Sequence, residues 1–233
     1  MELKDVMKEL ESYADPRTKN THMIHGGKEP IFGVKVGDLK KILKKTRKNH
    51  ELSLALYETG NSDAMYLAGL MADEKQITKE QLNRWVESAY WYFLSEYAVA
   101  WVAAESQHGF DLGLEWIRSD KESVASAGWS TLSNFASINT ELDLDTYSSL
   151  LDEVNKTIHK AKNRVKYTMN GFVIAVGSYV PELSEKAKRV AQNIGKVDVY
   201  MGETSCKVPL ATEYIAKVEN RGTVGKKRKQ ARC

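Results

Sequence analysis

A chain of 233 residues, 42% hydrophobic and 28% charged, can bury a sizeable core as one domain or one elongated array and still present a large polar surface. Fifteen glycines and four prolines are too few for a strand-rich, turn-rich fold, and two cysteines, Cys206 and Cys233, make neither a disulfide framework nor a spaced metal-ligand set. No apolar run approaches a membrane span and Met1 to Val6 lacks the apolar core of a leader, so a reducing cytoplasm is expected and a membrane partner is not.

A net charge of +3 says little by itself, but its distribution is uneven. Lys35, Lys40, Lys41, Lys44, Lys45, Arg47 and Lys48 face a single acid, Asp38. Lys156, Lys160, Lys162, Arg164 and Lys166 form a second block, and Arg221, Lys226, Lys227, Arg228, Lys229 and Arg232 a third, both without an acid. The remainder must then be acidic and the molecule polarised.

In chain order, Leu3, Val6, Leu10 and Tyr13 share one face of a first helix that ends at Asp15-Pro16, because proline biases the residue before it away from the helical region. The segment near 15–34 reads as irregular or as a small hairpin around Gly26-Gly27, a loop from which His25 and Lys28 can reach a partner. Asp38 reads as the cap of a helix with Leu39, Ile42 and Leu43 inward and the lysines outward. Helical patterns then recur over 52–58, 63–71, 79–88, 90–105, 110–118, 122–138, 144–162 and 164–179, again after Pro181, and from 210 to 218, with Ser62 and Asp143 as caps.

No strand alternation follows Val34. Paired helices joined by short polar links predict an all-α fold, a curved solenoid of two-helix repeats (an α-α superhelix) over residues 1–220, with 221–233 as a basic C-terminal tail. The competing reading is a closed helical bundle. The densest aromatic cluster, Tyr90 to Trp101, sits at the centre, with Trp91, Leu94, Ala98 and Trp101 on one face. Large aromatics at that spacing ordinarily fill a core.

The motif Ile31-Phe32-Gly33-Val34-Lys35-Val36-Gly37-Asp38-Leu39-Lys40-Lys41-Ile42, the Trp-rich helix and Ala127-Gly128-Trp129-Ser130-Thr131-Leu132-Ser133-Asn134-Phe135-Ala136 resemble the bacterial AlkD-like DNA alkylation repair family over most of the chain. The resemblance implies HEAT-like helical pairs whose basic concave face cradles DNA, and, in the catalytic members, excision of cationic N3- and N7-alkylated purines without a metal or other cofactor; a monomer is expected. It also implies a tryptophan followed one turn later by a catalytic aspartate, and an arginine on a later helix. Trp91 matches the tryptophan, but the charged positions fall on Ser95 and Ser133, which cannot stabilise positive charge on the sugar; losing such a group costs roughly a hundredfold in rate or more. The His25-Gly26-Gly27-Lys28 insertion, the missing acid and the Cys206-Lys207-Val208-Pro209 and Lys226-Lys227-Arg228-Lys229 motifs are similar to a branch that binds DNA, branched forms included, without catalysis.

The expected function is therefore DNA binding, duplex or branched, through the phosphate backbone, by His25, Lys28, Lys35, Lys40, Lys41, Lys44, Lys45, Lys160, Lys162, Arg164, Lys166, Lys226, Lys227 and Arg228, with weak or absent base excision. Trp91 is expected to be exposed for stacking, Trp129 to be buried, and Glu96 and Glu105 to be solvated. The alternatives are an active alkylpurine DNA glycosylase using Glu96 as substitute acid, and a protein-interaction solenoid.

Overall fold

The apolar stripes close on one another in pairs in the computed structural model, which describes residues 1–232; Cys233 lies outside the described residues. The helices are α1 (Leu3–Ser12), α2 (Pro16–Ile24), α3 (Val36–Thr46), α4 (His50–Glu58), α5 (Ser62–Met71), α6 (Lys79–Ser88), a π-helical stretch (Phe93–Val99) that continues as α7 (Ala100–Glu105), α8 (Gly109–Trp116), α9 (Glu122–Ile138), α10 (Leu144–Thr157) with a 3₁₀ turn (Ile158–Lys160), α11 (Asn163–Tyr179), α12 (Pro181–Ile194) and α13 (Ala211–Asn220). No strand occurs among the described residues.

Antiparallel partners are α4 with α5, α6 with the π-helical stretch, α8 with α9, α10 with α11 and α12 with α13. The second members stack on one another as an inner row, α5 on the π-helical stretch and α7, these on α9, α9 on α11 and α11 on α13. The architecture is thus a curved all-α solenoid of HEAT-like pairs. Its inner helices carry apolar residues nearly all round: every residue of α5 is buried, and α9 and α11 bury ten residues each. The core is in two adjoining parts, one running from Val6 to Ala127 and joined by Ala231 of the tail, and one from Ile117 to Ile215.

The Phe32-Gly33-Val34 motif has a local cause. The buried carboxylate of Asp63, in the first turn of α5, accepts the backbone N–H groups of Phe32 (2.7 Å), Gly33 (3.0 Å) and Val34 (2.8 Å), which ties the loop after α2 to the inner row. Gly33 has φ +81°, and a Cβ there would lie 2.4 Å from the backbone nitrogen of Lys19, so the turn requires glycine.

Three expectations need correction. Half of the segment near 15–34 is helical: Asp15 caps α2 by accepting from the Thr18 N–H (2.8 Å) with Pro16 in its first turn. None of the α2 residues is buried, so the helix has no apolar face to betray it. Asp38 lies inside α3 rather than at its cap, which is Lys35, and forms an ion pair with Lys41.

The tail is also not a free basic end. It runs back along the C-terminal ends of the inner helices in reverse order. Gly225 N–H donates to Ser178 O, Lys227 Nζ to Tyr179 O (2.7 Å) and Ala136 O (2.8 Å), and Arg228 N–H to Ser137 O. Arg232 Nη1 donates to Ala72 O (2.7 Å) and its Nη2 meets Glu74 (2.5 Å). Helix C-terminal carbonyls are unpaired acceptors at the negative end of the dipole, so cations belong there. The basic composition of the tail answers the helix ends of α11, α9 and α5.

Candidate nucleic-acid interface

At the opposite, N-terminal edge of the inner row, the end of α2, the Trp-rich segment, the first turn of α11 and the loop between α12 and α13 converge. Trp91 is 5% exposed, contrary to expectation. Its Nε1 donates to Ser62 Oγ at 3.0 Å, and its ring packs against His22 and Phe93 at 5.5 and 5.2 Å. An indole whose N–H has a partner can be buried without penalty. Trp129 is buried, packed edge-on to Phe172.

The chain after Trp91 is wound as a π-helix, a form concentrated at functional sites. The wider turn turns Leu94, Ser95, Glu96 and Ala98 all inward while leaving Tyr92, Phe93 and Tyr97 half-exposed. Ser95 has no accessible surface and its hydroxyl faces its own helix at Trp91 O. Ser133 likewise donates to Trp129 O at 2.7 Å. Ser95 and Ser133 are thus both hydroxyls turned into their own helices.

Glu96, expected to be solvated, is 2% exposed and is answered by a residue 68 positions away. Arg164 Nε donates to Oε1 at 2.8 Å and Nη2 to Oε2 at 2.5 Å, a two-pronged pair. Burial raises the Glu96 carboxyl above the ordinary carboxylate range, against the hydrogen bonds and charge of Arg164 that pull it down. The guanidinium lies 4.2 Å from the ring centre of Tyr92 and 4.3 Å from that of Tyr167, so a planar cation is layered between two phenols. Burial raises the pKa of Tyr92, Tyr97 and Tyr167, which keeps them neutral. Two of the three guanidinium nitrogens of Arg164 are therefore held by Glu96 in the site's floor, so Arg164 is not the fully exposed phosphate contact expected of it. Glu105 is likewise engaged, by Arg232 and two backbone amides at the opposite edge.

The other basic positions divide. Lys35 pairs with Asp15, Lys41 with Asp38, Lys45 with Glu9 and Lys48 with Glu74, so much of the first block neutralises local acids. Lys162 donates to Asp120 O. Lys227 and Arg228 are bound to the inner helix ends. Lys28, Lys40, Lys44, Lys160, Lys166 and Lys226 form no ion pair among the described residues. His25 sets its ring edge-on to Tyr92, 6.3 Å away. No cluster of His, Cys, Asp and Glu suited to a metal ion occurs among the described residues, and no described helix is long and apolar enough to cross a membrane.

Residues that sequence reasoning did not single out complete the site. Asn163 holds Tyr200 by both backbone groups, Nδ2 donating to Tyr200 O (2.8 Å) and Oδ1 accepting from Tyr200 N–H (2.7 Å). The aromatic cluster was visible in the chain; the pairing of Arg164 with Glu96 and the return of the Tyr200 loop are long-range relations without a local signal.

Comparison with known proteins agrees with this geometry. Residues 6–196 match the family described as DNA alkylation repair enzyme. Uncharacterized proteins of Listeria innocua and Listeria monocytogenes are each 36% identical over 219 residues, covering 91% of this chain and 95% of theirs. A solved structure superimposes with a TM-score of 0.91 at 39% identity, over 100% of both chains; it represents a new family of proteins related to the HEAT-like repeat DNA glycosylases with affinity for branched DNA structures.

Proposed function

The chain belongs to the DNA alkylation repair enzyme family, and from that premise we propose that it is a DNA-binding protein, duplex or branched in its target, with weak or absent base excision. The observation that carries this reading is the charge state of the floor. The sole carboxylate next to Trp91 and Tyr92 on the central segment, Glu96, is buried and bonded twice by Arg164. A glycosylase of this family needs a carboxylate facing the sugar, where positive charge develops as the N-glycosidic bond breaks. Glu96 faces a guanidinium instead, and Ser95 and Ser133 carry no charge. The alternative with Glu96 as substitute acid would require the pair to break and a buried carboxylate to reach the groove, which is costly.

Binding itself would rest on Lys28, Lys40, Lys44, Lys160 and Lys166, which are free of carboxylates and able to exchange counterions at phosphates. The branched-DNA affinity of the solved relative makes junctions the first target to try. Gel-shift titration with a four-way junction and a matched duplex, beside an assay for 7-methylguanine release from alkylated DNA, tests the reading. Salt-sensitive binding without release is expected. Efficient release abolished by Glu96→Gln would restore the glycosylase, and no binding at low salt would favour a protein-interaction solenoid.

A further inference from the structure

Two arms from opposite ends of the chain meet over the floor of the site. One is the end of α2 and its following turn, Ile24-His25-Gly26; the other is Tyr200-Met201-Gly202. Gly202, at φ +73°, brings its backbone so near that an added Cβ would lie 3.4 Å from Ile24 O. Between the arms, above Tyr92 and Arg164, is a cavity of about 210 Å³, room for one flat ring system but not for a base pair.

Two large side chains at its mouth are exposed, although the Tyr200 hydroxyl donates to Glu203 at 3.3 Å. Tyr200 is 68% exposed and Ile24 48%, yet the Tyr200 backbone is fixed by the pair of Asn163 hydrogen bonds. A large aromatic that is held in place while exposed is suited to a contact outside the chain. Arg164 Nη1 has only a thioether for a partner, Met201 Sδ at 3.7 Å, a weak acceptor. It therefore offers a charged donor to the cavity. Lys28, two residues beyond the first arm, is free of ion pairs among the described residues.

We infer that this cavity receives a single unpaired nucleobase of a DNA strand, stacked against Tyr200 and hydrogen-bonded through a ring or carbonyl acceptor to Arg164, with an adjoining phosphate at Lys28. The inference rests on the DNA-binding reading above and gives it a target: bases that have left the stack, as at a branch point or in a single strand. Every element has a matching chemistry. The Tyr200 phenol face accepts the base plane, Arg164 Nη1 supplies the charged donor, and Lys28 is a cation free of ion pairs two residues beyond the first arm. Glu96 acts here as a positioning residue, since it fixes two of the guanidinium nitrogens and leaves the third for the ligand.

The test uses the full chain and a four-way junction with the fluorescent base 2-aminopurine at the branch point, beside a fully paired duplex with the same base. Wild type should change the 2-aminopurine emission in the junction and not in the duplex. Tyr200→Ala, at an exposed position, should fold normally, weaken junction binding about tenfold, leave duplex binding unchanged and abolish the emission change; Tyr200→Phe should behave as wild type. Junction binding with unchanged emission, or equal weakening of junction and duplex by Tyr200→Ala, overturns the inference while leaving DNA binding intact. Failure of wild type to bind either DNA at low salt overturns both.

Discussion

Arg232 closes on Glu105, its Nε 2.7 Å from Oε2, while the N–H groups of Ala231 and Arg232 donate to Oε1 at 2.7 and 2.9 Å. The same guanidinium reaches Ala72 O and Glu74, so one side chain joins the ends of α5 and α7. Removing one partner of a buried ion pair leaves the rest unpaired, which typically costs about 3 kcal/mol or more. Arg232→Ala is expected to lose about that much in urea unfolding. Lys229→Ala, exposed and outside this network, should be within about 0.5 kcal/mol of wild type.

Two lysines of similar appearance in the sequence should separate by salt dependence. Lys166→Ala removes a cation of α11 that is free of ion pairs among the described residues, and should lower the slope of log K against log salt by about 1 for DNA binding. Lys227→Ala removes the cap on α9 and α11, and should leave that slope unchanged while lowering stability by about 1 kcal/mol. A reduced slope in the Lys227 variant would return the tail to the DNA interface.

Restoring an acid at Ser95 should not restore an enzyme. The position has no accessible surface, so Ser95→Asp buries a carboxylate with no partner designed for it, and a loss of roughly 3 kcal/mol or more is expected. Thermal melting checks the destabilisation, and the 7-methylguanine assay should remain at background. Base release from a folded Ser95→Asp protein would mean that the segment can present this position to DNA.

Two groups on α2 set a pH response. The Thr18 N–H and Lys35 hold the Asp15 carboxyl down from 3.8 to about 2. A depressed carboxyl stabilises the fold above its unfolded value, and that contribution fades as pH falls from about 4 to about 2. Asp15→Asn should lack this part of the acid titration. His22 is lowered by burial, against the pull of Asp63, and its Nδ1 is buried without a hydrogen-bond partner. The unfolded chain takes up its proton first, so stability declines as pH drops below 6.5. His22→Gln should flatten that decline, read by tryptophan fluorescence during denaturant titration.

The solenoid was legible because each helix except α2 has an apolar face and the links are short. The Asp143 cap is a local signal that holds in the structure, whereas the cap of α5 is Asn61, one residue before the expected Ser62, because its side chain accepts from the Asp63 and Ala64 N–H groups. What was illegible depends on partners far along the chain. Trp91 is buried because Ser62 accepts its N–H, Glu96 because Arg164 neutralises it, and the tail is ordered because helix ends await its donors 48 positions earlier at Tyr179 and 160 positions earlier at Ala72. The π-helical winding is equally silent, since it leaves the residues of the central face buried together: Trp91, Leu94, Ala98 and Trp101. Composition identified the charges correctly but not whether they face phosphates or helix dipoles.

That return of the chain alters how the molecule should come apart. Stacked repeats touch only their neighbours and can fray from either end, one pair at a time. Here a segment that follows α13 is bonded to α11, α9, α7 and α5 in turn, so the first repeats cannot leave without releasing the last. The array gains the all-or-none cooperativity of a closed domain, and its curvature, which sets the distance between the two arms, is fixed from the far edge.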